Sequence, residues 1–166
     1  MSERKINGHA EARRTRRKLK NLDDITGTII EEAIQIHREL GPGLLESVYE
    51  MVLARALERR GLSVERQKTV SFEYDGMTFD DGLRVDLLVD EAVVVELKSV
   101  EKLLPVHSKQ VLTYLKLLQL PVGLLINFGE NTIKDGLHRI VNKLSPSASP
   151  RLRVNSPPSP SPDLEG

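Results

Sequence analysis

Asp86, Glu96 and Lys98 are the residues whose types and spacing could do chemistry, because they interrupt an otherwise apolar stretch, residues 84–98. That stretch reads as two β-branched strands joined by a short polar turn. Residues two apart in a strand share a face, so Glu96 and Lys98 point one way while Val95 and Leu97 point the other. Arg84, Asp86 and Leu88 share a face of the partner strand by the same rule. Turn length decides what meets what. With a three-residue loop at Asp90-Glu91-Ala92, Asp86 falls opposite Glu96 and Arg84 opposite Lys98; with a two-residue loop the carboxylates lie on opposite sides of the sheet. Apposed carboxylates repel unless a cation sits between them, which points to a divalent metal site with Lys98 as the neighbouring positive group. The plain alternative is a solvated face of an antiparallel sheet. Against it stands Val93-Val94-Val95, a run without alternation, as expected of a strand covered on both sides, where charges are costly without partners.

Two further sets of polar residues share helical faces. His107, Gln110 and Tyr114 are spaced three and four apart on a segment whose other sides carry Val111, Leu112, Leu115 and Leu118. Such a stripe is equally the wet side of a helix. Glu46 and Tyr49 sit three apart after Gly43. Glu46 by itself suits the positive end of a helix, and Tyr49 suits a core aromatic with its hydroxyl satisfied at the edge.

The elements that must position these residues follow from periodicity and punctuation. A first helix begins near Asp23-Asp24 and carries Ile25, Ile29, Ile30, Ala33, Ile34, Ile36 and His37 towards Leu40, where Gly41-Pro42-Gly43 stops it. A second spans about 45–60 and ends at Gly61, with Val48, Val52, Leu53, Ala56 and Leu57 as its expected buried side. Strands are expected over 62–66, 69–74 and 77–79, with a turn at Asp75-Gly76, before the central hairpin. Pro105 fits a first helical turn, so a Leu-rich helix is expected over 106–120, closed by Pro121. Residues 122–128 form a continuous apolar run, the kind found inside a covered sheet. Residues 132–142 hold a short strand or a last helix. The order α-α-β-β-β-β-α-β describes an α/β fold with a central mixed β-sheet flanked by helices.

With 166 residues, the chain suits one domain over 22–143 between a basic arm, 1–21, and a Ser/Pro-rich tail, 144–166, both expected to be disordered. The absence of cysteine excludes disulfides, thiolate metal sites and iron–sulfur clusters, and fits a reducing cytoplasm. No apolar run reaches the length of a membrane span and the N-terminus has no signal-peptide core, so a cytoplasmic protein without membrane partners is expected. The formal charge of zero is uneven: residues 1–20 hold eight Lys/Arg against two Asp/Glu, a net of +6, which leaves −6 for the remainder. An arm with Arg13, Arg14, Arg16 and Arg17 is compatible with nucleic-acid binding, and equally with a leader that does nothing specific.

Together these pieces resemble a known family. Asp86, nine residues, then Glu96-Leu97-Lys98 is similar to the D…ExK signature of the PD-(D/E)XK nuclease superfamily. Gln110-Val111-Leu112-Thr113-Tyr114 resembles the QxxxY motif of its RecB-like branch. Gly43-Leu44-Leu45-Glu46-Ser47-Val48-Tyr49 resembles the pattern after which the GxxExxY proteins are named. His37-Arg38-Glu39-Leu40-Gly41-Pro42 before it and Leu124-Leu125-Ile126-Asn127-Phe128 near the end fit the same family. The likeness covers roughly residues 22–143. Where the superfamily has Pro-Asp, this chain has Val85-Asp86.

The resemblance implies a restriction-endonuclease-like core and a phosphodiesterase site. Asp86, Glu96 and the backbone carbonyl of Leu97 would bind Mg²⁺ or Mn²⁺, Glu46 completing the acidic cluster directly or through water. Lys98 would orient the water or stabilise the transition state, and Gln110 and Tyr114 would position the metal site or the phosphate backbone. Arg84, His107 and the arginines of the arm would contact nucleic acid, DNA being the expected substrate. Oligomeric state stays open, a homodimer included. Two other readings remain: a catalytically silent nucleic-acid-binding or protein-interaction module on the same fold, and a structural partner module.

Overall fold

A computed structural model describes residues 21–143; the expectations for the basic arm and the Ser/Pro tail, including Arg13, Arg14, Arg16 and Arg17, lie outside the described residues. The chain runs α1 (Leu22–Leu40), α2 (Glu46–Arg59), β1 (Val64–Tyr74), β2 (Met77–Val89), β3 (Val93–Lys98), α3 (Pro105–Leu118), β4 (Val122–Asn127), α4 (Ile133–Gly136) and β5 (Leu137–Val141). The strands form one mixed sheet in the order β1-β2-β3-β4-β5, with β3 and β4 parallel and the other neighbours antiparallel. Helices cover both faces. Residues of α1 and α2 pack with Leu87, Val89, Val93, Val95, Leu97, Leu124 and Ile126, whereas Val111, Tyr114 and Leu115 of α3 pack with Leu88, Val94 and Leu125 on the other side. This is why Val93-Val94-Val95 shows no alternation: both faces of β3 are core.

The helix boundaries follow the caps. Asn21, rather than Asp23, caps α1 by accepting the Asp23 N–H. At the end of α2, Gly61 takes a φ of 80° and the Leu62 N–H returns to the Leu57 carbonyl at 3.1 Å, tucking Leu62 into the core. The buried face of α2 is Tyr49, Glu50, Leu53, Ala54 and Leu57. It is rotated from the expected one: Val48 is exposed and Val52 and Ala56 are only half-buried. The reason is that α2 must meet both α1 and the sheet, so the helix turns its tyrosine inward and a carboxylate comes with it.

The expected order is corrected between the helices: three strands stand there, not the four expected, and the C-terminal region holds both a single helical turn and a strand. β1 and β2 form one long ribbon through residues that break strands in isolation. Gln67 adopts a φ of 49° without ending the ladder, and a register shift between Val70 and Phe72 absorbs the extra residues around Asp80-Asp81-Gly82. That end of the ribbon is exposed, so its Asp and Gly cost little.

The regular alternation expected for Arg84, Asp86 and Leu88 also fails. Leu87 and Val89 belong to the cluster under α1 and α2, but Val85 belongs to the one under α3. On β1, Val64 packs against the first cluster and Val70 lies in the second, although both have the same parity. The pairs Arg66–Leu87 and Lys68–Val85 bracket the crossing point, so the ribbon turns its faces over where Gln67 stands across from Asp86.

Candidate metal-dependent site

The three-residue loop is the one formed: Val89 pairs with Val93, and the Ala92 N–H donates to the Val89 carbonyl at 3.0 Å. Backbone pairing between β2 and β3 nevertheless stops at Leu87–Val95. The expected Asp86–Glu96 and Arg84–Lys98 pairs are therefore not part of the ladder. Instead the Asp86 side chain takes the place of a backbone acceptor, with the Leu97 N–H donating to Asp86 Oδ2 at 2.9 Å. Lys98 has left β2 and pairs with Asn127 of β4, and Arg84 stands exposed on the ribbon.

Glu96 faces the side of the sheet covered by α3 and is only 3% exposed. Its Oε1 accepts from Lys98 Nζ at 3.0 Å, while Oε2 is buried with no hydrogen-bond partner among the described residues. Burial, and then the nearby charge of Asp86, push its pKa from 4.5 to about 7, against the opposing pull of Lys98. Burial works against the charge of Lys98, but Glu96, Glu46 and Asp86 outweigh it and raise the pKa above its ordinary 10.5. Each of the two groups thus favours the charged form of the other.

Glu46 opens α2 and is exposed; its charge reaches Glu96 and Lys98 and raises both. The loop before it is pinned from two sides. The Tyr49 hydroxyl donates to the Gly41 carbonyl at 2.5 Å and accepts the Leu44 N–H at 3.2 Å, and Ser99 Oγ donates to the Leu44 carbonyl at 2.6 Å. Tyr49 is fully buried and stacks on Phe128, ring centroids 4.2 Å apart. It packs beneath the site as an anchor for the Glu46 loop.

On α3, Gln110 Nε2 donates to the Tyr114 hydroxyl at 2.7 Å. Tyr114 is buried, and that burial raises its pKa, with Glu96 and Asp86 adding to the rise. His107 acts locally, since its Nδ1 accepts the Leu104 N–H at 3.0 Å and closes the first turn of α3. The segment after Lys98 is held by buried Asn127, which accepts from the Val100 N–H and donates to the Val100 carbonyl. Gly129 lies so close to it that a Cβ there would stand 2.2 Å from the Val100 carbonyl oxygen.

Sequence reasoning missed a chain of three residues, Arg66, Glu50 and Gln67, that ends on Asp86. Glu50, 5% exposed, accepts from Arg66 Nε at 2.9 Å and from Gln67 Nε2 at 2.5 Å, and the same Gln67 amide nitrogen lies 3.3 Å from Asp86 Oδ1. One signal was available: Glu50 lies four residues after Glu46 on the same helix and directly follows a tyrosine that suits the core.

The donor set fits a hard cation. All the oxygens are carboxylate or backbone, no thiolate exists in the chain, and a buried carboxylate oxygen without a partner is costly unless something positive meets it. Among the described residues no three His, Cys, Asp or Glu side chains gather as a ready-made ligand cluster, so Asp86 and Glu96 stand as a pair that backbone carbonyl and water must complete. Among the described residues no helix is long and apolar enough to cross a membrane. A family model of the PD-(D/E)XK nuclease superfamily matches residues 23–140, and no curated protein and no solved structure matches the chain.

Proposed function

Because the chain belongs to the PD-(D/E)XK nuclease superfamily, whose members are usually nucleases that use divalent metals such as Mg²⁺, we propose that it hydrolyses phosphodiester bonds of nucleic acid, DNA foremost, at Asp86, Glu96 and Lys98. The observation that carries this reading is Glu96: a buried carboxylate with one oxygen on Lys98 and the other without a hydrogen-bond partner among the described residues, beside a second carboxylate. Asp86, Glu96 and the Leu97 carbonyl would hold Mg²⁺ or Mn²⁺, with Glu46 reaching it through water. Once bound, the ion supplies Lewis acidity and neutralises charge at the scissile phosphate.

The rest falls to the chain's own groups. Lys98, kept protonated by three carboxylates, donates to the attacking water or to a phosphate oxygen as charge grows on it. The Gln110–Tyr114 pair presents a polar edge from α3 to the phosphate backbone. Arg84 and the basic arm supply non-specific attraction to the polyanion, and His107, whose Nδ1 accepts the Leu104 N–H, offers only its Nε2–H as a hydrogen-bond donor to a phosphate oxygen. The narrower likeness to GxxExxY proteins and to the QxxxY branch belongs to this proposal.

The test is cleavage of labelled linear and circular DNA with Mg²⁺, Mn²⁺ or EDTA, by wild type and Lys98→Ala side by side. Metal-dependent products from the wild type, reduced about 10²-fold or more in the variant, are expected. Metal binding without cleavage by either protein would replace this reading with a silent nucleic-acid-binding module.

A further inference from the structure

We infer that Gln67 is a positioning residue for Asp86, and that buried Glu50 exists to aim the Gln67 amide. The inference rests on the metal-site reading and adds to it a part of the chain, β1 and α2, that the D…ExK pattern does not contain.

The Gln67 side-chain nitrogen lies between two carboxylates, 2.5 Å from Glu50 Oε2 and 3.3 Å from Asp86 Oδ1. Only the NH₂ end of an amide can face two carboxylate oxygens, and its two hydrogens serve one each. Glu50 is fixed in turn by Arg66 Nε on its other oxygen. Asp86 thus receives a donor on each oxygen, the Leu97 N–H on Oδ2 and Gln67 on Oδ1, with lone pairs left on both for a cation. Partners of this kind orient ligating carboxylates, and their loss typically weakens metal binding about 10- to 100-fold.

The backbone supports a role beyond packing. Gln67 sits at a φ of 49°, the left-handed region that non-glycine residues avoid, at the point where the ribbon exchanges faces. The other non-glycine residues at positive φ among the described ones, Asp75, Asp90, Glu91 and Gln119, lie in turns or at a helix end, whereas Gln67 lies inside a strand. That strained position brings the Gln67 amide to Asp86.

Gln67→Gly removes the amide and relieves that strain, so a merely structural Gln67 and a positioning Gln67 give different results. Full-length wild type, Gln67→Gly and Glu50→Gln are compared in thermal melts and in Mn²⁺ titrations followed by calorimetry, with cleavage measured across Mn²⁺ concentration. For Gln67→Gly we expect a metal-free melting temperature a few degrees below that of the wild type, because relief of the backbone strain is offset by the lost partner of buried Glu50, and Mn²⁺ affinity about tenfold weaker. Cleavage should need correspondingly more Mn²⁺ while its saturated rate changes less. Glu50→Gln, which keeps an acceptor for Gln67 but loses the charge paired with Arg66, should fall between the two. Mn²⁺ affinity within about twofold of wild type in Gln67→Gly, with the wild type binding and cleaving normally, overturns the positioning role and leaves the nuclease reading standing. A wild type that neither binds Mn²⁺ nor cleaves overturns both.

Discussion

Replacing Glu96 by Gln should make the metal-free protein more stable at neutral and alkaline pH, although it removes an ion pair. The carboxyl releases its proton near pH 7 in the folded chain and near 4.5 when unfolded. Between those values the folded state keeps a proton that the unfolded state has lost, so unfolding releases it and stability falls as pH rises. The contribution is whole below about pH 4.5 and gone above about pH 7. Its size is about 3 kcal/mol, and because Glu96 is almost entirely buried there is little solvent screening to discount. The shift already includes the help of Lys98, so breaking that pair does not change the sign.

Gln carries no proton to lose. The assay is urea or thermal unfolding of wild type and Glu96→Gln in EDTA from about pH 5 to about pH 8, taken as the difference between the two proteins so that other titrating groups cancel. The variant should gain on the wild type by about 3 kcal/mol across the range, on the order of 10 °C in Tm for a domain of this size. Adding Mn²⁺ at about pH 8 should raise the wild type and leave the variant unmoved. A stability difference that stays constant with pH would refute the burial argument, and an equal response of both proteins to Mn²⁺ would refute Glu96 as a ligand.

Two further outcomes are expected from other parts of the chain. Tyr49→Phe keeps the stack on Phe128 but leaves the Gly41 carbonyl and the Leu44 N–H without their hydroxyl partner, so urea unfolding should show a loss of about 1–2 kcal/mol; a loss below about 0.5 kcal/mol would mean that water replaces the hydroxyl. Deleting residues 1–20, with their net charge of +6, should reduce the slope of log affinity for duplex DNA against log salt by up to about 5, measured by fluorescence anisotropy, whereas an unchanged slope would assign the phosphate contacts to the folded body.

What the sequence made legible was whatever local physics decides. Caps and apolar periodicity located α1, α2 and α3 to within two residues, because helix ends are set by nearby groups such as Gly41 and Gly61. The covered strands β3 and β4 announced themselves by unbroken apolar runs, and the D…ExK pattern pointed to Asp86, Glu96 and Lys98 without any geometry. Pairing decided the rest. Gln67 and Asp80-Asp81-Gly82 looked like breaks since each is a poor strand former alone, yet the partner strand carries the ladder past both. Glu50 is not on the buried side expected of α2, because its partners Arg66 and Gln67 come from β1, on the other side of the Gly61 turn. Nothing in a period-two pattern marks the point where a ribbon turns over.

That turnover explains why the two carboxylates are not equivalent. Had the ladder continued, Asp86 and Glu96 would face each other as a like-charged cross-strand pair, and both would carry the repulsion. The crossing at Gln67 lets Asp86 leave the ladder and take the Leu97 N–H, and it brings the amide of Gln67 to its other oxygen. Asp86 is thereby solvated by fixed donors on both oxygens. Glu96, one residue before the amide that Asp86 uses, gets Lys98 on one oxygen and, among the described residues, no donor on the other. The cost of placing two acids in a covered sheet therefore falls on Glu96, which holds its proton to about pH 7. On the metal-site proposal a cation would remove that cost, and its binding would be strongest where the proton is already leaving, at and above neutral pH.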